Sequence, residues 1–169
     1  MRCRPGTPLF DFLGPGSAKQ RFALHRVRDK RKTIMTSATA ALRAAIHDAL
    51  TADVPLASLL GGARVYDEPP PNAAFPYVTL GETRVTNFST GDAPLAEHQL
   101  TLHAWSRQGG HKQAHMIAGA LLQALDDAPL APDGHRLVNL RFALADIRRE
   151  SDGRTYHALV RFRAVTEPA

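Results

Sequence analysis

The chain has 169 residues, 44% of them hydrophobic, and 21 Lys and Arg against 16 Asp and Glu, for a formal charge of +5. That length supports one domain with a substantial core and leaves little room for two. The charge suggests a nucleic-acid binder, but its placement excludes a basic domain: residues 1–35 hold nine Lys/Arg against two acidic residues (net +7), and the remainder holds twelve against fourteen (net −2).

Residues 1–35 show no helical or strand period and mix Pro and Gly with a terminal run of Arg and Lys. They lack the apolar stretch of roughly 7–15 residues that a secretory signal needs. The expectation is a disordered or non-native leader at 1–35 and a single domain over 36–169, which starts where Thr36 or Ser37 can cap a helix. Cys3, the only cysteine, lies in the leader, so the domain has no disulfide or thiolate chemistry and suits synthesis in a reducing cytoplasm. No segment approaches the ~20 apolar residues of a membrane span.

Leu42, Ala45, Ile46, Ala49 and Leu50 predict an amphipathic helix over 37–51. "VPLASLL" (54–60) reads as a short apolar turn stopped by Gly61-Gly62. "ARVYDE" is a brief strand, and Pro69-Pro70-Pro71 after it is a stiff connector that cannot join a ladder. Two long strands follow, about 76–87 and 95–106, joined by "FSTGDAP". A turn centred near Thr90 would set Leu80 opposite Leu100, Val78 opposite Leu102 and Glu82 opposite His98. In that register the apolar stripe fades at one level on both strands and leaves a polar tip over 82–98. Twelve residues at about 3.3 Å each span about 40 Å, more sheet than a small core covers. A hairpin with a packed base and a projecting arm is expected.

Ala114, Ile117, Ala118, Leu121, Ala124 and Leu125 predict a second helix over about 110–126, ended by "DDAPLAPDG". Asp126 and Asp127 sit where the helix dipole disfavours negative charge. In the last two strands, Val138, Leu140, Phe142 and Leu144, then Tyr156, Ala158, Val160, Phe162 and Ala164, alternate with mostly polar residues, and "DGR" (152–154) supplies the turn. The predicted class is α+β: a mainly antiparallel sheet with two helices on its apolar face and a long projecting hairpin.

The histidines raise the question of a metal. His98 and His103 differ by an odd number on one strand and so face opposite sides of the sheet. His111 and His115 have helical ligand spacing, but no third ligand follows at a matching interval, and catalytic zinc usually takes three. A small metal-dependent enzyme using His111 and His115 is therefore the weaker alternative, and no catalytic, metal or cofactor residue is assigned. A second alternative is a DNA-binding module built from the leader and a basic sheet face formed by Arg141, Arg161 and Arg163, which all fall opposite the apolar residues.

"GGARVYDEPPPNAAFPYVTLGE" (61–82), "EHQLTLHAWSRQGGHKQAHMIAGALLQAL" (97–125), "RLVNLRF" (136–142) and "DGRTYHALVRFRAVTE" (152–167) together resemble phage tail-completion proteins, including tail terminators of long-tailed phages and gene transfer agents. The resemblance runs from about residue 40 to residue 167. It implies a structural subunit without enzyme activity or cofactor. Such a subunit assembles with itself into a ring, commonly a hexamer, at the head-proximal end of the tail tube of a virion or phage-like particle. It implies as partners the tail tube protein and the head-completion or connector protein, with DNA passing through the ring without specific binding. On this reading the arm residues Glu82, Arg84, Asn87, Phe88, Asp92 and His98 are the expected contact surface, with Phe88 as its anchor.

Overall fold

The computed structural model describes residues 37–89 and 94–169; the leader and Asp92 lie outside the described residues. Helix α1 occupies 37–52 and buries Ala38, Leu42, Ile46 and Leu50, one residue per turn. Where a turn was expected, Val54–Leu60 forms a second helix, α2. The Asp53 carboxylate accepts from Leu56 N at 2.7 Å, Pro55 stands in the first turn, and Gly61 ends the helix at φ 73°. A cap, an early proline and a left-handed glycine stop are sufficient for two turns, with Leu56 and Leu60 driven into the core. Asp53→Ala should cost about 1 kcal/mol, read as a lower urea midpoint with an unchanged slope.

Strand β1 is Val65–Tyr66, followed by β2 (Tyr77–Asn87), β3 (Ala96–Ser106), helix α3 (His111–Leu125), β4 (His135–Arg149) and β5 (Tyr156–Pro168). The sheet order is β1-β2-β3-β5-β4, and only β1–β2 is parallel. The α+β class and its mainly antiparallel sheet hold. Leu42, Ile46, Leu56, Leu60, Ile117, Leu121 and Leu125 from the three helices share one core with Val78, Leu80, Leu100, Leu102, Ala104, Ala158, Val160, Phe162 and Ala164 from the sheet.

The β2–β3 register corrects the predicted one. Leu80 pairs with Leu102 and Val78 with Ala104; a shift then intervenes, and Thr83 pairs with Leu100 and Val85 with His98. The extra residue at Gly81–Glu82 is a bulge, which reverses the facing of everything beyond it. Glu82 therefore stands beside His103 and not His98. Strand β3 is also flanked by β5 along its whole length, from Ala96↔Thr166 to Ser106↔Tyr156. The polar stretch expected to project is thus held inside the sheet as far as Ala96, and the tip of the expected arm, residues 90–93, lies outside the described residues.

Strand β4 departs from its predicted alternation. Leu140 is buried, but Val138, Phe142 and Leu144 are exposed. Two register shifts, at Leu137/Asn139 and Phe142/Leu144, break the period, and β4 is the outermost strand. Past Leu140 both of its faces reach solvent, apart from a half-buried Ile147. Asp126 and Asp127 close part of its free edge: Phe142 N donates to Asp126 Oδ1 at 2.8 Å, and Asp127 N donates to Leu140 O at 2.8 Å. Internal partners thus account for both carboxylates at the end of α3, Phe142 N for Asp126 and the Arg141 guanidinium, at 3.1 Å, for Asp127.

Candidate functional site

Alternate strand residues point away from the helices and give the sheet a second, open face. The ladders arrange it in rows. Arg84, Gln99, Arg163 and Arg141 lie side by side across β2, β3, β5 and β4. The next row carries Thr101, Arg161 and Leu144. Further along, Tyr77, Trp105, His157 and Arg148 form a row, with Tyr66 beside Tyr77. The ladders place Arg141, Arg161 and Arg163 on this one face, and Arg84 joins them.

That face is less basic than its arginines suggest. Arg163 donates to Glu97 at 2.8 Å, and this bond holds the Glu97 carboxyl below its usual range. Arg141 pairs with Asp127 at 3.1 Å. Among the described residues no carboxylate lies within ion-pair distance of Arg84 or Arg161.

An aromatic band adjoins the arginines. Trp105 stacks on His157 at 4.0 Å with the ring planes 1° apart, and Tyr77 lies 6.4 Å from Trp105. Arg107 sits 4.1 Å over the Phe75 ring, which lies 5.0 Å from Tyr77. Burial raises the Tyr77 phenol above its ordinary value, with Arg107 opposing. Sequence reasoning missed this band because its members come from three separate stretches, 75–77, 105–107 and 157, and only the β3–β5 adjacency brings Trp105 to His157.

The predicted arm residues separate. His98 is fully buried and leaves the contact surface: its Nε2 is 2.8 Å from Thr166 Oγ1, and its Nδ1 is 3.5 Å from Thr39 Oγ1 on α1. Burial, aided by His135, lowers its pKa to about 4. Glu82 is occupied by His103 at 3.3 Å. Arg84, Asn87 and Phe88 are exposed, Phe88 at 46%, and Arg163 stands 5.9 Å over its ring. Asn87 Oδ1 accepts from both Ser89 N and Ser89 Oγ and shapes the chain just past β2. Of the helical histidines, His111 packs edge-on against Tyr156 at 4.8 Å and His115 is exposed. Among the described residues no group of three or more His, Cys, Asp or Glu is placed to hold a metal ion.

The family model of tail completion protein gp17 matches residues 44–167. The chain belongs to this tail completion family. The tail completion protein gp17 of Bacillus phage SPP1 is 28% identical over 128 residues, which cover 75% of this chain and 92% of that protein. A chain in the solved virion of a native gene transfer agent particle is 34% identical with a TM-score of 0.72, covering 77% of this chain and 97% of that one. The solved structure of SPP1 gp17 is similar at 25% identity and a TM-score of 0.53, covering 76% and 90% of the two chains. This family member therefore has a structural role in the assembly of a phage-like tail and resides in the particle. The matched span begins within α1 and ends within β5, so both faces of the sheet fall inside it.

Proposed function

We propose that the chain is a tail terminator: a non-enzymatic subunit that forms a ring, of six copies, at the head-proximal end of the tail tube. The ring ends tube polymerisation and joins the tail to the head connector, and DNA passes through it without specific binding. The likeness over 97% of a chain from a gene transfer agent virion carries this reading. Two features of the subunit support it. The outer strand β4 exposes Val138, Phe142 and Leu144, and exposed apolar residues on a sheet edge suit a junction between subunits. Arg84 and Phe88, whose ring lies under Arg163, stand exposed toward the far end of β2, where a neighbouring protein can reach them; Asn87 is exposed there on the opposite face, and Asp92 belongs to the same contact by sequence.

The double variant Arg84→Glu/Phe88→Ser tests the contact. Both side chains are exposed, so the subunit should fold normally, and negative-stain images of purified protein should still show rings. Attachment of tails to heads should fall by about tenfold or more, as expected when an aromatic anchor and a charge are removed. Normal numbers of joined particles would remove this surface from the proposal, and a monomer in native mass measurements would remove the ring.

A further inference from the structure

Four side chains on the open face form an unbroken line. Glu82, at the β2 bulge, lies 3.3 Å from His103 Nε2; His103 Nδ1 lies 2.8 Å from His157 Nε2; and His157 Nδ1 lies 3.0 Å from Glu150 Oε1. The line thus has three gaps, each requiring one proton between its two heavy atoms. With both carboxylates ionised and both imidazoles neutral, only two N–H protons are available. One gap then sets lone pairs against each other. A third proton fills every gap with one hydrogen bond. A fourth would force two N–H groups head-on across the 2.8 Å between the rings.

We propose that Glu82, His103, His157 and Glu150 bind one shared proton as a unit, and that this proton closes them into a strap tying the β2 bulge and the 150–155 turn to β3 and β5. The surroundings are built for it. A Cβ at Gly81 would lie 2.4 Å from His103 Nε2, so only glycine at the bulge admits the ring. His157 is 4% exposed, and the face of Trp105 lies flat against it, a favourable seat for an imidazolium. The charged groups around the line are balanced. From β5, Arg161 acts on Glu82; from β4, Arg148 acts on His157 and pairs with Glu150 at 3.3 Å. Asp146 on β4 stands opposite Leu159, one row from His157. Beyond Trp105, Arg107 faces Tyr77 and Asp152. Burial and then the charge of His103 hold His157 below the usual imidazole range against the pull of Glu150, as a pair that refuses a second proton requires.

The chain has one tryptophan, Trp105, in contact with His157. A protonated imidazole in stacking contact quenches indole emission, so the full-length protein carries its own reporter. Trp105 emission and the imidazole Cε1–H resonances are followed between pH 8 and pH 4. Both rings should shift at one common midpoint with the slope of a single proton. Glu82→Gln and Glu150→Gln, each at a side chain that reaches solvent, should leave the far-UV circular dichroism unchanged and lower that midpoint by about one unit. Separate midpoints for the two rings, or a midpoint that moves by less than about 0.3 unit in both variants, would overturn the proposal.

Discussion

Replacing Phe162 with alanine is expected to destabilise the subunit by about 3–5 kcal/mol, the range for a large aromatic removed from a packed interior. Phe162 is 1% exposed and sits at the crossing of the ladders, opposite Leu100 on β3 and Phe142 on β4. Its ring meets Phe142 edge-on at 6.1 Å, beneath the helical layer. No neighbour can collapse into the space, because β3 and β5 are fixed to one another along their full length. A domain typically has 5–15 kcal/mol in all, so the variant should unfold at a much lower urea concentration. Phe142→Ala removes the exposed partner of the same pair and should cost less than half as much. Equal losses for the two would show that the outer side of β4 is covered in the isolated subunit.

Acidification should weaken the fold in two separable stages, the first of them governed by His98. The folded chain holds this imidazole neutral down to about pH 4, and the unfolded chain protonates it near 6.5. A depressed folded pKa contributes stability that is complete above the unfolded value and is lost as the pH falls through the folded one. Between pH 6.5 and 4 the loss attributable to His98 should reach about 3 kcal/mol. His157, also depressed, adds to the same window. Glu82, Glu97 and Asp152 have lowered carboxyl values, so their contributions disappear later, below about pH 4.5. Urea titrations across this range should give a clearly flatter dependence for His98→Gln than for the parent between pH 6.5 and 4. Parallel curves would mean that water reaches the buried ring.

Element positions were legible in the sequence wherever a clean period met a clear stop. The strands expected at 76–87 and 95–106 appear at Tyr77–Asn87 and Ala96–Ser106, and the helix expected at 110–126 at His111–Leu125. Residues 54–60 could have been read as helical from Asp53, Pro55 and Gly61, but seven apolar-rich residues alone do not separate a helix from a turn. The β2–β3 register was not legible, because a bulge leaves no mark in composition. From that one residue follow the misplaced partner of Glu82 and the reversal of Arg84 and Val85. The fate of His98 and the His103–His157 contact depended on β3 lying beside β5, a neighbour far along the chain, and no local pattern encodes such a pairing. The basic row was legible because Arg141, Arg161 and Arg163 needed only strand parity. Exposure of Phe142 and Leu144 was not, because parity does not reveal which strand is outermost.

Asp126 and Asp127 act on β4 like a stopper pushed partway along a zip. They occupy Leu140 and Phe142, and beyond Phe142 no described residue outside β5 bonds to the backbone of the strand. An incoming chain that tried to add itself as a sixth strand would find the teeth at Leu140 and Phe142 already engaged. It could seat only along the last few residues, in one phase and over a short span. Such an edge admits a single defined neighbour and discourages the open-ended stacking that leads to fibres.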